Sequence, residues 1–178
     1  MNIFDNQYQI LENTVVTLGK FDGLHEGHRK LIETTVEEAK KRGYKSLVYT
    51  FNQNPRAVLK HEEIQYLNSR EEKIEILKQM GVDYIVFQDF TYDFSRMSAR
   101  KFAKEIIKQK LKAKMVVVGF NYRFGKKAKG NIDKLRKYGK NFDFEVKVIE
   151  PVKKNGDIIS STVLRSHKKI AGNTKVFQ

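Results

Sequence analysis

The chain has 178 residues, a formal net charge of +14 and no cysteine. This length fits one domain with a proper hydrophobic core, and the lack of cysteine excludes disulfides, a thiol nucleophile and cysteine-ligated metal sites. The first 30 residues lack the pattern of a signal peptide, and no apolar stretch approaches the roughly 20 residues that cross a bilayer. We therefore expect a soluble, cytoplasmic protein with a single domain over residues 1–178.

The charge is unevenly distributed along the chain. Residues 1–95 carry 12 Lys/Arg and 15 Asp/Glu, whereas residues 96–178 carry 23 and 6. Such a basic half attracts polyanions, which include nucleic acid, anionic lipid and multiply phosphorylated small molecules. A solvated lysine-rich surface without a partner is the alternative interpretation.

Apolar runs alternate with helical patterns along the chain. Five segments predict strands: Thr14–Leu18, Ser46–Phe51, Asp83–Phe87, Met115–Val118 and Phe144–Ile149. Helices are predicted over Lys30–Arg42, Glu71–Met80, Ala99–Leu111 and from Asn131 to Tyr138, with Ser69, Ser98 and Asn131 as capping residues. This alternation predicts an α/β fold, a doubly wound, Rossmann-like parallel sheet of about five strands. Ligands bind such sheets beyond the carboxyl ends of the strands, where strand order reverses.

The loop after the first predicted strand is dense in glycine and histidine. Residues 19–28 read Gly-Lys-Phe-Asp-Gly-Leu-His-Glu-Gly-His. Gly19 and Gly23 let the backbone approach a phosphate, and His25 and His28 project from one side of the first helical turn. The helix N-terminus adds unpaired N–H groups and a positive dipole end. This loop predicts an enzyme that handles nucleotide phosphates, in which Asp22 caps the turn or helps to hold a phosphate-bound metal ion.

The two histidines also have other interpretations. A zinc site needs a third ligand, and the remaining histidines, His61 and His167, lie in no matching motif. The spacing of a P-loop is absent. A structural turn with incidental histidines stays open as an alternative.

The segment resembles the signature of the HxGH nucleotidylyltransferase superfamily, whose members transfer a nucleotidyl group from a nucleoside triphosphate. It is most similar to that of bacterial FAD synthetases, the adenylyltransferase module of prokaryotic riboflavin kinase/FAD synthetase. The resemblance implies that His25 and His28 are catalytic, binding the triphosphate and steadying the α-phosphoryl group. The ATP-binding residues that it implies here are Gly19, Phe21, Asp22, Gly23, His25 and His28.

Two further segments resemble elements of the same family. The segment from Thr50 to Pro55 is similar to a TFxPHP segment near the flavin, with Gln53 and Asn54 replacing Pro and His. The resemblance implies that Asn54 and Pro55 bind the flavin, and a generic turn before the proline is the alternative. The run from Val118 to Lys127 is similar to V-G-x-[DN]-[FY]-x-F-G. It implies a catalytic Asn121, which would hold ATP or the metal shell, and flavin binding by Tyr122, Arg123 and Phe124.

A last segment, Ile-Ser-Ser-Thr-Val-Leu-Arg over residues 159–165, is similar to the family's I-S-S-T-x-I-R motif. Hydroxyl groups at a helix start cap the helix and hydrogen-bond phosphate. The resemblance implies that Ser160, Ser161, Thr162 and Arg165 bind the β- and γ-phosphates, with Arg165 also catalytic. An ordinary N-cap is the alternative.

The resemblance covers about residues 14–166 and implies the reaction ATP + FMN → FAD + pyrophosphate. Mg²⁺ would be bound through the ATP phosphates, with no confident protein ligand. We expect ATP and FMN as substrates, no membrane or nucleic-acid partner, and no riboflavin kinase domain of the kind that the bifunctional relatives carry. Two alternatives stay open. One is nucleotidylyl transfer to another phosphorylated acceptor, and the other is a non-catalytic homologue that binds flavin or RNA.

Overall fold

A computed structural model of the chain describes residues 1–151, 153–154 and 157–158. Its main sheet consists of the strands β1 (Asn2–Asp5), β2 (Thr14–Leu18), β3 (Lys45–Phe51), β4 (Tyr84–Gln88), β5 (Ala113–Gly119) and β6 (Glu145–Ile149). A small antiparallel hairpin follows, with strands β7 (Lys153–Lys154) and β8 (Asp157–Ile158).

The helices in the described part of the chain are α1 (Glu26–Arg42), α2 (Pro55–Lys60), α3 (Arg70–Gln79), α4 (Tyr92–Ser95), α5 (Ala99–Lys101) and α6 (Ile132–Phe142). Helix α5 continues directly as a π-helix over Phe102–Lys110, and a 3₁₀ turn spans Lys126–Ala128. Among these described elements, no helix combines the length and apolar character that crossing a membrane requires.

The main sheet is parallel throughout, with the strand order β1-β4-β3-β2-β5-β6. Strand β2 therefore lies between β3 and β5, and the direction of winding reverses beside it. All five residues of β2 are buried, as expected for a strand with both faces covered. The predicted doubly wound α/β fold is confirmed, and the crevice for a ligand lies at the carboxyl end of β2.

Successive side chains of β3 point to opposite faces and enter different cores. Leu47 and Tyr49 pack with the π-helix and α6, whereas Val48 packs with α1 and α3. Each face of the sheet is therefore covered by helices, which are amphipathic because they contact the sheet on one side only.

The sheet has six strands rather than the predicted five. The additional strand, β1, lies at an edge, where Ile3 pairs with Ile85 of β4. Its residues are exposed apart from Phe4, which is partly buried. This strand has no continuous apolar run, which explains why the hydrophobic pattern did not reveal it.

The predicted helix starts are confirmed by their capping contacts. The Ser69 side chain accepts the backbone N–H of Glu72, while the Glu72 side chain accepts that of Ser69. Ser98 and Asn131 cap α5 and α6 by accepting the backbone N–H groups of Lys101 and Lys134. The capping box fixes the start of α3 at the end of a loop that runs beside the histidine segment.

Candidate functional site

The segment that joins β2 to α1, residues 19–25, is named here the histidine loop. Phe21, Gly23 and Leu24 adopt positive φ angles of 47°, 84° and 35°. Glycine is required at position 23, since a Cβ there would lie 2.6 Å from the Leu67 side chain. Phe21 and Leu24 hold this unfavourable backbone because their side chains are buried, at 0% and 3% exposure. The loop therefore has one fixed conformation, which its packing determines.

The two histidines lie against each other at the start of α1. His25 is the N-cap residue of the helix, and its ring stacks on that of His28 with 3.7 Å between ring centroids. The Nδ1 atoms of both rings are buried and have no hydrogen-bond partner among the described residues. Buried polar atoms without partners are uncommon, and strain, a catalytic role or a bound water or ion accounts for those that occur.

Burial also sets the protonation of this pair. Desolvation lowers the pKa of His28 from 6.5 to about 3, and the positive charges of Lys73 and Lys20 and the neighbouring His25 act in the same direction. Desolvation likewise lowers the pKa of His25. Both imidazoles are therefore neutral near pH 7, each with one N–H donor and one acceptor nitrogen.

The histidine loop is tied to α3 and β3 through its own polar groups. Asp22 is 4% exposed, and its Oδ1 accepts the backbone N–H of Leu67 at 2.8 Å. The carbonyl oxygen of Lys20 accepts hydrogen bonds from Thr50 Oγ1 at 3.0 Å and Lys73 Nζ at 3.2 Å. Phe21 directs its ring into the core, so its backbone is the part that a nucleotide can contact.

A cavity of about 560 Å³ opens at the carboxyl ends of β2, β3 and β5, and we call it the aromatic cavity. It begins at Leu18 and Gly19, the residues that lead into the histidine loop. Four of the predicted flavin residues and the predicted Asn121 line it, and its lining also includes several aromatic rings. These lining residues are Pro55, Asn121, Tyr122, Arg123 and Phe124, together with Tyr49, Phe51, Phe90, Phe94 and Phe102.

Residues 121–125 form the cavity wall that follows β5, and close packing fixes its conformation. The rings of Tyr122 and Phe124 stack with 5.6 Å between centroids and 13° between planes. Gly125 has a φ of +71°, and a Cβ there would come within 2.6 Å of the Ala99 backbone. Phe124 also forms an antiparallel bridge with Gly130. The wall is therefore pre-formed, with Asn121 and Arg123 exposed on it.

The structure separates Asn54 from the other predicted flavin residues. Asn54 lines a second cavity of about 210 Å³, between β3 and α3. Its Oδ1 accepts the backbone N–H of Arg56 at 3.0 Å, which makes it the N-cap of α2. Its backbone N–H donates to the Tyr66 hydroxyl at 3.0 Å. The Asn54 side chain therefore caps a helix, where the alternative interpretation expected a generic turn, and flavin binding by Asn54 stays a prediction.

A polar network that sequence analysis missed supports the aromatic cavity from the neighbouring strand ends. Asp89 accepts hydrogen bonds from Asn52 Nδ2 and Asn6 Nδ2, both at 2.7 Å. Gln53 Oε1 accepts the backbone N–H of Phe90 at 3.1 Å, and Phe90 lines the aromatic cavity. Polar residues directly after β3 and β4 were the available signal, because parallel strand ends meet at one edge of the sheet.

The remaining predicted ATP residues, Ser160, Ser161, Thr162 and Arg165, lie outside the described residues. The structure therefore brings together the histidine loop and the wall after β5, and the predicted triphosphate motif stays a prediction.

Comparisons with known proteins agree with this arrangement. Residues 7–163 match the family model described as FAD synthetase. The bifunctional riboflavin kinase/FMN adenylyltransferase of Listeria monocytogenes is 36% identical over 155 residues, which are 86% of this chain and 49% of the relative. The enzyme of the same name from Buchnera aphidicola subsp. Schizaphis graminum is 33% identical over 162 residues, or 90% and 52% of the two chains. The chain thus spans about half the length of these curated relatives.

Solved structures show the same fold. A Streptococcus pneumoniae structure described as a macrolide-efflux protein matches with a TM-score of 0.80 and 30% identity, over 93% of this chain and 57% of that one. Pantothenate synthetase from Thermus thermophilus shares the fold alone, with a TM-score of 0.58 and 15% identity over 95% of this chain and 70% of that one. From the family match over most of its length, together with this fold and the histidine loop, we conclude that the chain belongs to the FAD synthetase family.

Proposed function

We propose that this protein is an FMN adenylyltransferase, which converts ATP and FMN into FAD and pyrophosphate. One observation carries the proposal beyond family membership. Two stacked imidazoles, each with a buried Nδ1 that has no partner among the described residues, end a loop whose first residues, Gly19 and Lys20, line an aromatic cavity where strand order reverses. A phosphate site and a site for a flat ring system are thus neighbours, as the two substrates require.

The reaction needs positioning and charge stabilisation more than proton transfer. A phosphate oxygen of FMN attacks the α-phosphorus of ATP in line, a new P–O bond forms, and the bond to the β-phosphate oxygen breaks, so that pyrophosphate leaves. The attacking phosphate is already ionised, so no general base is needed. Negative charge spreads over the α-phosphoryl oxygens in the transition state, where preorganised donors stabilise it.

The neutral histidines suit this task. Because burial lowers the pKa of His28 to about 3, the ring stays neutral and offers one N–H without carrying a charge into the site. We assign His25 and His28 to the transferring phosphoryl group, with Gly19, Asp22 and Gly23 shaping the loop around the phosphates. Ser160, Ser161, Thr162 and Arg165 are proposed to bind the β- and γ-phosphates and thereby the departing pyrophosphate.

The aromatic cavity is proposed to receive the isoalloxazine ring. Its volume of about 560 Å³ lies within the range of small-molecule sites, and the Tyr122 and Phe124 rings offer apolar faces for stacking. Pro55 lines one side of the cavity. The Arg123 guanidinium is proposed to donate hydrogen bonds to a phosphate group of a substrate. Asn121, exposed on the wall, is proposed to hold ATP or the shell of its metal ion.

We propose Mg²⁺ as the metal ion, bound through the ATP phosphates. Within the described part of the chain no three His, Cys, Asp or Glu side chains form a potential metal cluster. Mg²⁺ fits such a site, since it keeps several waters and binds substrate phosphates with few protein ligands. When bound, it would neutralise phosphate charge.

The direct test supplies the purified protein with ATP, MgCl₂ and FMN and follows FAD by chromatography and pyrophosphate by a coupled assay. We expect equal amounts of the two products, and none when EDTA replaces MgCl₂. Riboflavin, which lacks the attacking phosphate, should give no FAD. Pyrophosphate release with a different phosphorylated acceptor, but not with FMN, would instead favour another nucleotidylyl transfer. Flavin or RNA binding without pyrophosphate release would favour a binding protein.

A further inference from the structure

A buried lysine on α3 interacts with the histidine loop and has no direct part in the proposed reaction. Lys73 is 8% exposed, and burying an ammonium group is unfavourable unless partners compensate it. Its Nζ donates to the carbonyl oxygen of Lys20 at 3.2 Å. Burial lowers its pKa, and the Asp22 carboxylate opposes that shift. Both compensating groups belong to the histidine loop.

Residues 67–73, together with Thr50, contact the histidine loop at Lys20, Asp22 and Gly23. The Lys20 carbonyl oxygen also accepts from Thr50 Oγ1, so it lies between the end of β3 and the first turn of α3. Asp22 accepts the Leu67 N–H, and Gly23 packs directly against the Leu67 side chain. The loop is thus fixed to α3 and to the residues that precede it.

The contacts continue from Lys20 to the catalytic pair through Phe21. The Phe21 ring is fully buried, and it meets the His28 ring edge-on with 5.3 Å between centroids. A Cβ at Gly19 would lie 3.0 Å from the same ring, so there is little free space around it. A displacement of the Lys20 carbonyl would therefore move Phe21, and Phe21 would move His28.

We propose that Lys73 is a positioning residue: by fixing Lys20 and Asp22, it holds His25 and His28 in register with the reacting phosphates. The kinetic part of this inference rests on the proposed function. A misplacement of about 1 Å costs on the order of 10²-fold in rate when geometry provides the catalysis. Loss of Lys73 should therefore lower kcat while leaving flavin binding intact, because the aromatic cavity is lined by other residues.

The test compares Lys73→Met with Lys78→Met, which removes an exposed lysine from the same helix. For Lys73→Met we expect kcat to fall about 10- to 100-fold, by the geometric argument above, with the KM for FMN within about threefold of the parent. In protein labelled at histidine, the imidazole NMR resonances of His25 and His28 should shift while those of His61 stay in place. Lys78→Met should change neither the rates nor the resonances.

The NMR measurement separates this inference from the proposed function, because it needs no FAD formation. If the parent protein makes no FAD, shifted His25 and His28 resonances together with weakened nuclear Overhauser contacts between the Phe21 and His28 rings still support the positioning role of Lys73, whereas a shift with unchanged ring contacts reflects only the lost charge and overturns it. Unshifted resonances overturn it whatever the rate, and so does an effect confined to KM.

If Lys73→Met does not fold, Lys73→Gln decides the question, since it removes the ammonium donor to the Lys20 carbonyl and leaves a polar side chain in its place. A lower kcat with shifted His25 and His28 resonances and weakened contacts between the Phe21 and His28 rings would support the inference. Parental values for both would overturn it.

Discussion

At the scale of single residues, burial determines the protonation of the histidine pair. The imidazoles have lost water around Nδ1 and have gained no hydrogen bond from the described residues. This arrangement is unfavourable in the free protein. Under the proposed function, phosphate oxygens would meet this pair, so the free-energy cost of desolvating the rings is met during folding rather than during the reaction.

The first prediction concerns this donor. His28→Ala should lower kcat by about 10²- to 10³-fold, the usual loss when one preorganised transition-state donor is removed. The fold should persist, because His28 is only partly buried and its helix is long. Steady-state FAD formation measures the effect, and His61→Ala, at an exposed position, is the control. Turnover near the parental rate in His28→Ala would remove the catalytic assignment.

The second prediction follows from the pKa of His28, which lies near 3 in the folded protein and 6.5 otherwise. Because the folded-state pKa is depressed, the unfolded chain binds more protons below pH 6.5, and stability is lost as the pH falls. Between pH 7 and pH 5 this difference in proton binding lowers the free energy of unfolding by about 1–2 kcal/mol. The non-titrating variant His28→Asn should lose correspondingly less over the same interval.

Urea unfolding at pH 7 and pH 5 measures this difference. The paired carboxylates Asp5 and Asp89 have pKa values lowered below 3.8, so they stay ionised over that interval. Equal losses of stability in the parent and in His28→Asn would contradict the lowered pKa.

Sequence singled out the histidines as candidate site residues because glycines and imidazoles at this spacing have few structural explanations. It was less informative about Asn54, since one amide oxygen serves equally to cap a helix and to contact a ligand. The structure uses that oxygen for the Arg56 N–H. Sequence also gave no sign of the role of Lys73, because most helix lysines are exposed to solvent and only the structure shows that this one is buried.

At the scale of secondary-structure elements, the aromatic cavity depends on strand ends that are distant in sequence. Gln53 follows β3 and Phe90 follows β4, and a single hydrogen bond joins their segments. The Phe90 ring in turn meets Phe51 and Phe94 edge-on, with 5.2 Å and 5.8 Å between centroids. The position of one cavity wall is thus set by the loop after the neighbouring strand.

The third prediction tests this contact. Gln53→Ala removes the acceptor of the Phe90 N–H, so we expect the KM for FMN to rise about three- to tenfold, equivalent to the roughly 1 kcal/mol of a typical hydrogen bond. The kcat should stay near the parental value, since the histidine loop is held by other contacts. Gln65→Ala, at an exposed position, is the control. A change in kcat without a change in KM would contradict this account of the wall.

Sequence patterns predicted the elements with strong periodicity or clear caps, and they failed where the physical signal was short. All five predicted strands are present in the sheet, and so is the helix that follows the histidine loop. Their apolar patterns are visible in the local sequence. Helix α2 has six residues and none of them is buried, so it carries no amphipathic pattern. The π-helical continuation of α5 depends on hydrogen-bond spacing, which side-chain pattern does not encode.

At the scale of the whole molecule, the parallel topology places the basic half of the chain around the predicted nucleotide sites. Strands β5 and β6 and the wall after β5 all lie within residues 96–178, which carry 23 Lys/Arg and 6 Asp/Glu. Some of this charge is locally paired, as in the contacts of Lys108 and Lys114 with Asp143. The lysines near Gly125 are exposed, and they face the same end of the sheet as the histidine loop.

The fourth prediction concerns salt. ATP binding should weaken severalfold between low ionic strength and about 0.5 M NaCl, because salt screens exposed charges beyond a few ångströms. Riboflavin, which has the isoalloxazine ring without a phosphate, should bind the aromatic cavity with little dependence on salt. Calorimetric titrations of the two ligands provide the comparison. Equal salt dependence for both would show that the basic half does not attract the phosphates.

The edge position of β1 has a consequence for how the protein is made. Ile3 pairs with Ile85 in β4, so the two partners are separated by 82 residues of chain. During synthesis, β2 and β3 can join first, whereas the N-terminal segment has no hydrogen-bonding partner until β4 has emerged from the ribosome. The pairing of β1 with β4 thus closes a long loop, a type of contact that slows folding.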